Sequence, residues 1–254
     1  MAAYWFLFHQ GNILLTDKGT IPLSKEIPFP NIEESNIFHL PDVEERSCYA
    51  ATLETPITES CYKMIPLRAS FEMLPSILYR MAAKSYELLY WNANTNYCGA
   101  CGALMKRHTE ISKICSCCGK EIWPSASAAI IVAITRGHEI LLVQSKKFRG
   151  NYFGLVAGFV ETGETLEECV HREVMEETGI TIKKLKYFSS QAWPYPFNIM
   201  IGFTAEYAHG DLQLQRSELN AGGWYKLNNL PEIPEKVSLA RQLIDAVKND
   251  ICHQ

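Results

Sequence analysis

The chain has 254 residues, of which 47% are hydrophobic and 20% are charged, and its formal net charge is −4. This composition is that of an ordinary folded protein and excludes a disordered, collagenous or membrane-embedded chain. The negative balance supplies no general attraction for nucleic acid or an anionic membrane, so a polyanionic substrate would have to be held by local positive groups or by metal ions.

Residues 1–97 are predicted to form an N-terminal mixed α/β domain, to which the sequence assigns no role. The apolar run at 4–8 lacks the basic start of a signal peptide and is soon followed by polar residues, so it predicts a strand. Residues 75–91 have apolar side chains at helical spacing and a proline suited to a first helical turn. No apolar run approaches the roughly 20 residues of a membrane helix, so we expect a cytoplasmic protein with no membrane partner. No internal repeat is evident.

Residues 98–122 contain two C-x-x-C-G motifs, CGACG and CSCCG, which predict a tetrahedral Zn²⁺ site in a zinc ribbon. Cys117 is left out, because only Cys118 reproduces both the two-residue gap and the following glycine. His108 could replace one ligand, although a surface position is its ordinary interpretation. A redox dithiol is a weaker interpretation, because no βαβ pattern surrounds either pair. The predicted ligands of this structural Zn²⁺ are Cys98, Cys101, Cys115 and Cys118.

Residues 123–254 alternate strand and helix patterns, which predicts a mixed sheet flanked by helices. Gly179 follows the first helix in a position suited to a helix stop. The predicted strands are 128–134, 139–144, 183–190, 199–207, 212–215 and 223–227, and the predicted helices are 165–178 and 237–249.

Three glutamates in the first of these helices, Glu173, Glu176 and Glu177, are spaced at i, i+3 and i+4. This spacing places their carboxylates on one helix face. A solvated acidic face is the ordinary interpretation of such a run. Carboxylate oxygens are also the ligands that Mg²⁺ and Mn²⁺ prefer, and magnesium commonly joins one or two carboxylates to substrate phosphates.

The flanks of the helix favour the metal site, because they complete the pattern G-x5-E-x7-R-E-U-x-E-E-x-G-U, in which U is a bulky apolar residue. The fixed positions are Gly158, Glu164, Arg172, Glu173, Glu176, Glu177 and Gly179. By this pattern the chain resembles the Nudix hydrolase superfamily. The resemblance implies an α+β fold, the Nudix α/β/α sandwich with a mixed sheet, and metal-dependent hydrolysis of a nucleoside diphosphate linked to another moiety.

Carried onto this chain, the resemblance implies that Glu173, Glu176 and Glu177 bind the catalytic Mg²⁺ or Mn²⁺. One of these residues, or Glu218 in the later segment QRSELNAGGW, would activate the attacking water, and Glu218 is also a candidate metal ligand. An exposed loop acid is the alternative interpretation of Glu218. Arg172 is expected to pair with an acidic neighbour such as Glu164 and to order the loop before the helix.

After the helix the chain reads SQAWPYPFNIM from position 190. The prolines of WPYP, residues 193–196, stiffen a loop and hold its aromatic rings in place, which suits stacking on a flat base. A hydrophobic loop packed on the core is the alternative. The stretch resembles the S-Q-P-W-P-F-P-x-S signature of the NADH pyrophosphatase (NudC-type) branch of the superfamily. Ala192, Tyr195 and Asn198 replace the first proline, the phenylalanine and the final serine of that signature.

This second resemblance covers roughly residue 98 to the C-terminus. It implies a homodimer that splits NADH or NAD⁺ into nicotinamide mononucleotide and AMP, and in some members removes NAD caps from RNA. The implied ring-binding and substrate-binding residues are Phe159, Gln191, Trp193, Tyr195, Trp123 and Ala240.

Three alternatives to cleavage of free NADH stay open. Removal of NAD caps could be the main role, with RNA guided by Lys106, Arg107, Lys113, Lys146, Lys147 and Arg149. Another nucleoside diphosphate derivative could be the substrate. A catalytically silent nucleotide sensor is disfavoured, because such a protein would be expected to have lost the glutamates that are all present here.

Overall fold

The computed structural model describes residues 1–30, 32–147, 150–195 and 197–252. Pro196 of the WPYP loop and Arg149 of the basic set lie outside these ranges. The chain divides into two compact units, Met1–Ser125 with Pro194–Phe197, and Ala126–Trp193 with Asn198–Gln254. Within the described residues, no helix is both long and apolar enough to cross a membrane.

The first unit is built on a six-stranded sheet that is followed by one long helix. The strands are β1 (Ala3–His9), β2 (Asn12–Thr16), β3 (Leu23–Ser24), β4 (Phe38–Val43), β5 (Arg46–Thr52) and β6 (Tyr62–Pro66), and the helix is α1 (Ser76–Asn94). The strand order is β4-β5-β1-β2-β6, with β3 beside β1. Pro75 is the N-cap of α1, one position before the first turn. The helix buries Leu78, Ala82 and Leu89 on one face, as their spacing predicts.

The first unit also contains a three-stranded sheet, formed by β7 (Met105–Thr109), β8 (Ser112–Cys115) and β9 (Glu121–Ile122) in that order. Lys113 of β8 is buried. Its Nζ donates to the carbonyls of Asn92 at 2.7 Å and Thr95 at 2.8 Å, where α1 ends. A cation at this place satisfies carbonyl groups that the helix leaves unpaired, so Lys113 has a structural role.

The second unit contains the other six-stranded sheet and two helices. Its elements are β10 (Ser127–Arg136), β11 (Glu139–Ser145), β12 (Val156–Phe159), α2 (Leu166–Thr178), β13 (Thr181–Trp193), β14 (Asn198–His209), β15 (Leu219–Lys226) and α3 (Leu239–Cys252). The strand order is β13-β14-β10-β11-β15, with β12 beside β10. The sheet is mixed, because β10 is parallel to β14 and antiparallel to β11 and β12.

Successive side chains of β10 enter two different apolar layers, as the period of a strand requires. One layer joins Ile130, Val132 and Ile134 to Cys169, Val170 and Val174 of α2. The other joins Ile131 and Ala133 to Leu239, Leu243 and Ile244 of α3. One helix therefore covers each face of the sheet, which confirms the predicted α/β/α sandwich.

The predicted strand at 212–215 is wrong, because the backbone donors of this segment are used elsewhere. The N–H groups of Gln213 and Gln215 donate to the carbonyls of Thr178 and Glu177, at 2.8 and 2.9 Å. These carbonyls are among those that α2 leaves unpaired at its C-terminal end, so the segment closes the helix and does not join the sheet. β12 is missing from the predicted strands; it is short and contains a glycine, which weakens a strand signal.

The two units share one sheet topology. In each, the first strand pairs antiparallel with the second and third strands and parallel with the fifth, while the fourth pairs with the fifth and the sixth with the second. A helix, α1 or α3, follows each sixth strand. Between the third and fourth strands the second unit has α2, whereas the described part of the first unit has the 3-10 helix Glu34–Asn36. The carboxylate helix therefore belongs to the second unit alone.

Candidate active site

Helix α2 begins and ends at residues that fix its position. The Thr165 hydroxyl accepts a hydrogen bond from the Glu168 N–H at 3.2 Å, and the Glu168 carboxylate accepts one from the Thr165 N–H at 2.7 Å. This reciprocal pair is a capping box. At the other end Gly179 has a φ of 69°, a left-handed conformation that suits glycine, and its N–H donates to the Met175 carbonyl. Because both ends are fixed, the carboxylates of the last two turns keep one rotational position.

Arg172 connects the loop before α2 to the acidic face of the helix. Its guanidinium donates to both carboxylate oxygens of Glu164, at 3.0 and 2.6 Å, so the predicted ion pair is present and bidentate. A third donor reaches Glu173 at 2.9 Å and Glu176 at 3.2 Å. The hydrogen bonds from Arg172 and from the Glu161 N–H lower the pKa of Glu164 to about 2. Glu164 is thus held as an anion in an ion pair and orders the loop.

Gly158 provides the space in which the Glu173 carboxylate lies. It stands in β12, opposite Ile130 of β10. A β-carbon added at position 158 would overlap the carboxylate of Glu173. The Glu173 side chain is only 14% exposed, between this strand and Arg172. The glycine of the pattern is therefore explained by close approach, which no larger residue permits.

The acidic side chains of the site differ in burial. The Glu176 side chain is 52% exposed, whereas Glu177 is 6% exposed. Burial, together with the charges of Glu173 and Glu218, raises the pKa of Glu177 to about 8. Burial also raises the pKa of Glu173, against the opposing effect of Arg172. The ionised forms of these carboxyls are therefore disfavoured until positive charge is added, which is the electrostatic character of a cation site.

Glu218 approaches this group from the loop before β15. Its charge acts on the pKa of both Glu173 and Glu177. Its carboxylate lies 3.5 Å from Nζ of Lys147, a residue in the turn after β11. The sequence places Lys147 in a set of possible RNA guides. Its pairing with Glu218 had no signal in the sequence, because 71 positions separate the two residues.

The four carboxylates fit a hard divalent cation by their chemistry, since all offer oxygen ligands. They are not drawn together as tightly as the ribbon thiols: among the described residues, the thiols are the one group of three or more potential ligands whose atoms lie within 4.8 Å of one another. The hydrogen bonds from Arg172 to Glu173 and Glu176 draw these two carboxylates toward the guanidinium. Glu173, Glu176, Glu177 and Glu218 are the residues that could hold the cation.

Phe159 and Trp193, two of the residues expected to bind a ring of the substrate, both lie in the second unit but differ in exposure. Phe159 follows Gly158, and its ring is 58% exposed, while its carbonyl accepts a hydrogen bond from Arg172 at 3.0 Å. The backbone of Phe159 is therefore bonded to Arg172 of α2, the helix that carries the acidic side chains. Trp193 is half-buried at the end of β13, where it pairs in register with Asn198 of β14.

Gln191 uses both polar atoms of its side chain within the fold. The amide nitrogen donates to the carbonyl of Val237 at 2.7 Å, and the amide oxygen accepts from the N–H of Leu239 at 2.7 Å. Ala240, which follows directly, is buried among the residues of α3 that cover the sheet. Gln191 therefore links the end of β13 to the start of α3, beside Ala240.

Tyr195 and Trp123 belong to the first unit. The Tyr195 hydroxyl lies 2.9 Å from the hydroxyl of Tyr79 in α1. Trp123 follows β9 and is 54% exposed. The sequence contains no signal for the pairing of Tyr195 with Tyr79, because 116 positions separate the two residues and each alone is an ordinary core tyrosine.

The cysteine ribbon has the geometry that its spacing predicts. Sγ of Cys98 is 3.7 Å from Sγ of Cys118, and Sγ of Cys101 is 3.4 Å from that of Cys115. The N–H groups of residues 117 and 118 both point at Sγ of Cys115 at 3.4 Å, and they lower the pKa of this thiol to about 6. Cys117 is exposed and outside the group. The four thiols form a group that could hold a metal ion.

Most of the basic residues considered as RNA guides have partners in the fold. Lys113 is 5% exposed at the end of α1, so the expectation that it guides RNA is wrong. Arg107 pairs with Glu110 and lies over the Phe38 ring, 4.1 Å from its centre. Lys146 donates to the carbonyl of Arg216 at 2.6 Å.

Comparison with known proteins finds two family matches. A family described as NUDIX domain matches residues 124–247, and one described as NADH pyrophosphatase-like rudimentary NUDIX domain matches residues 2–91. The second match agrees with the repeated sheet topology and with the missing carboxylate helix of the first unit. A crystal structure of a Nudix hydrolase from Nitrosomonas europaea, 18% identical, superposes with a TM-score of 0.55 over 62% of this chain and 93% of that one. At this identity the likeness establishes the fold.

Curated relatives cover nearly the whole chain. The NAD-capped RNA hydrolase NudC of Deinococcus radiodurans is 34% identical over 248 residues, which are 96% of this chain and 86% of that protein. The protein of the same name from Pectobacterium atrosepticum is 44% identical over 169 residues. That alignment covers 66% of this chain and 65% of the relative, so it spans slightly less than two thirds of the relative's length.

Proposed function

The chain belongs to the NADH pyrophosphatase-like (NudC) branch of the Nudix hydrolase family, and we propose that it hydrolyses the pyrophosphate bond of NADH or NAD⁺. The products are nicotinamide mononucleotide, reduced or oxidised, and AMP. The observation that carries the proposal is the acidic site itself, in which the Glu173 carboxylate lies against Gly158, Glu177 is buried, and both have raised pKa values. Burial of a charged carboxylate costs free energy unless the charge is paired, protonated or bound to a cation, so a cation would stabilise the ionised form of this group.

Glu173, Glu176, Glu177 and Glu218 would hold Mg²⁺ or Mn²⁺. When bound, such an ion neutralises the negative charge of the pyrophosphate and lowers the pKa of an attacking water. Arg172 bonds to Glu164 in the loop before α2 and to the carbonyl of Phe159 at the end of β12, so that the loop and the strand stay against the acidic face. The exposed ring of Phe159 and the ring of Trp193 are the surfaces on which a base would stack. Stacking of this kind contributes about 1–3 kcal/mol per base in single-strand binders.

Glu177 and Glu218 are the two candidates for the group that takes the proton of the water. Glu177 is buried and has a pKa near 8, so it holds a proton readily. Glu218 has a side chain that is 45% exposed, from which a proton can return to solvent. Replacement of each by glutamine separates the roles: the base variant should lose kcat and the acidic limb of the pH profile while it retains substrate binding.

Product analysis tests the proposed reaction. Purified protein is incubated with NADH and either Mg²⁺ or Mn²⁺, and the products are separated and identified. We expect the wild type to cleave NADH to reduced nicotinamide mononucleotide and AMP. A folded Glu177→Gln variant should not cleave it. Full activity in the variant would contradict the assigned mechanism, and inactivity of the wild type with either ion would contradict the substrate.

Removal of NAD caps from RNA is the second candidate function, because the relatives from Pectobacterium atrosepticum and Deinococcus radiodurans are named NAD-capped RNA hydrolase. The same site would cleave the same pyrophosphate bond. The net charge of −4 and the engaged lysines argue for weak contacts to the RNA body. Turnover of capped RNA and of free NADH should therefore depend similarly on salt, whereas a steep salt dependence for capped RNA alone would indicate a dedicated RNA surface.

The four ribbon thiols would hold a structural Zn²⁺ through a closed set of sulfur ligands. Such thiols stay reduced in the cytoplasm, which is where we place the protein. The homodimer rests on the family resemblance, and light scattering of the purified protein tests it directly.

A further inference from the structure

Arg172 and Lys147 contact different carboxylates of the acidic site. A guanidinium nitrogen of Arg172 donates to Glu173 at 2.9 Å. Nζ of Lys147 lies 3.5 Å from the Glu218 carboxylate. Burial raises the pKa of Glu177, and the positive charge of Lys147 opposes that rise. Lys147 is therefore the cation beside Glu177 and Glu218, whereas Arg172 is the cation beside Glu173.

The guanidinium of Arg172 is fully engaged within the fold. Its Nε donates to Glu164, its Nη1 to Glu173 and Glu176, and its Nη2 to Glu164 and to the Phe159 carbonyl. These contacts occupy every N–H group of the guanidinium. Arg172 thus orders the loop and the helix, and it has no donor left for a phosphate.

Lys147 is held by its backbone, whereas its ammonium group faces solvent. Its N–H donates to the Ser145 hydroxyl at 3.2 Å. The N–H of Lys146 donates to the Glu218 carbonyl at 2.8 Å, which fixes the turn after β11 beside the loop that carries Glu218. The side chain of Lys147 is 82% exposed. An ammonium group has several N–H donors, so it can contact Glu218 and also donate to a ligand.

A pyrophosphate at this site lies among carboxylates that repel it when they are ionised. Positive charge from a bound metal ion and from the protein offsets that repulsion. Lys146 is not suited to this role, because its Nζ donates to the Arg216 carbonyl at 2.6 Å. Of the described cations that contact the acidic side chains, Lys147 is the one with donors to spare.

We propose that Lys147 is a substrate-binding residue, whose ammonium group donates to a phosphate of the pyrophosphate beside Glu218. This inference rests on the proposed function, because the phosphates concerned are those of NADH or NAD⁺. It assigns a role in the reaction to a residue that the sequence places only among possible RNA guides. The ion pair with Glu218 keeps the ammonium group beside the site before a substrate binds.

Lys147→Met should have opposite effects on the binding of substrate and of metal. KM for NADH should rise about tenfold, because a charged donor to the phosphate is lost. The pyrophosphate is negatively charged before the reaction as well as during it, so kcat should stay within about threefold. The variant also removes a positive charge that repels a divalent cation, so Mn²⁺ should bind about two- to fivefold more tightly.

Two further variants control for charge and for a general effect on the fold. Lys147→Arg keeps the positive charge and should stay within about threefold of the wild type in both measurements. Lys184→Met removes another exposed lysine that pairs with a glutamate, because Nζ of Lys184 lies 2.9 Å from Glu206, which is outside the acidic site. It should change neither measurement. Exposed ion pairs contribute little to stability, so all three variants should melt close to the wild type.

Calorimetric titration with ADP in the presence of Mg²⁺, and with Mn²⁺ alone, separates this proposal from the proposed reaction, because neither titration needs cleavage. ADP carries an adenosine and a pyrophosphate, as NADH does. For Lys147→Met we expect about tenfold weaker binding of ADP together with tighter binding of Mn²⁺. Unchanged ADP binding in this variant, or no ADP binding by the wild type, would overturn the proposal.

Two other results would also overturn it. Weaker binding of both ADP and Mn²⁺ by Lys147→Met would show that Lys147 has a structural role only. Slower cleavage of capped RNA with an unchanged KM for NADH would make Lys147 an RNA guide. A wild type that does not cleave NADH would contradict the proposed function and leave the two titrations to decide the role of Lys147.

Discussion

The carboxylate of Glu173 occupies the space that the β-carbon of any residue other than glycine would need at position 158. This relationship joins the loop end of the Nudix pattern to its helix by a steric requirement. It explains why a glycine and a glutamate fifteen positions apart occur in one motif. The acidic site therefore depends on the close packing of β12 against α2, in addition to the identity of its carboxylates.

Gly158→Ala should displace the Glu173 carboxylate while the sheet remains intact. A displacement near 1 Å at a catalytic group can reduce activity by about 100-fold, and we expect a loss of that order in kcat. Gly223→Ala is the matched control, because a β-carbon there meets no atom closer than 3.8 Å and the backbone is unstrained. Steady-state kinetics of the two variants test this expectation. A wild-type kcat in both variants would contradict the packing argument.

Glu177 makes the metal-free protein less stable as pH rises. Its pKa of about 8 in the fold exceeds the ordinary value for glutamate, so the folded state binds this proton more tightly than the unfolded state does. Stability is therefore lost between about pH 4 and pH 8. Metal-free Glu177→Gln should melt about 3 °C or more above the wild type at pH 8.5, with little difference at pH 4.

Addition of Mg²⁺ should narrow that gap at high pH, because a cation that binds the folded wild type stabilises it. Melting curves with and without Mg²⁺ measure this. If the wild type and Glu177→Gln melt together at pH 8.5 without metal, the burial of an unneutralised carboxylate is refuted.

Cys118→Ser should release the ribbon metal, whereas Cys117→Ser should not. Only Cys118 belongs to the group whose sulfur atoms lie within 4.8 Å. Since metal binding at such sites supplies folding free energy, Cys118→Ser should also lower the melting temperature. Metal content per chain, measured by elemental analysis of both variants, checks the assignment; equal loss from both would mean that Cys117 is a ligand.

Gln191→Ala should destabilise the start of α3, because it leaves the Val237 carbonyl and the Leu239 N–H without their partner. Unpaired groups of this kind cost about 1–3 kcal/mol. The melting temperature should fall and KM for NADH should rise, since both Trp193 and Ala240 stand near this link in the chain. A rise in KM with no change in melting temperature would instead indicate that Gln191 contacts the substrate itself.

Some features of the fold were predictable because local and tertiary signals agree. Helix α2 has apolar residues at helical spacing, a capping box at Thr165 and a glycine stop at position 179, and its expected bounds are correct within one residue. The segment 212–215 alternates like a strand, but the end of α2 takes its backbone donors. No local sequence pattern predicts this competition for backbone donors, because its outcome depends on tertiary contacts.

The candidate site likewise combines residues whose contacts the sequence predicts with residues whose contacts it does not predict. The glutamates and their arginine follow from one motif, and Arg172 pairs with Glu164 as expected. Three other residues have partners that no local sequence pattern predicts. Tyr195 bonds to a residue 116 positions away, Gln191 to residues 46 and 48 positions away, and Glu218 to a residue 71 positions away. The sheet topology shared by the two units is likewise invisible in the sequence, because topology depends on strand pairing and different apolar residues can fill equivalent layers.

The most direct test is cleavage of NADH in oxygen-18-labelled water with Mg²⁺ or Mn²⁺, followed by mass spectrometry of the products. We predict reduced nicotinamide mononucleotide and AMP, with one labelled oxygen in the phosphate of one of them. Label in a phosphate shows that water attacks the pyrophosphate. Release of nicotinamide, or two unlabelled nucleotides, would contradict hydrolysis of the pyrophosphate at the acidic face of α2.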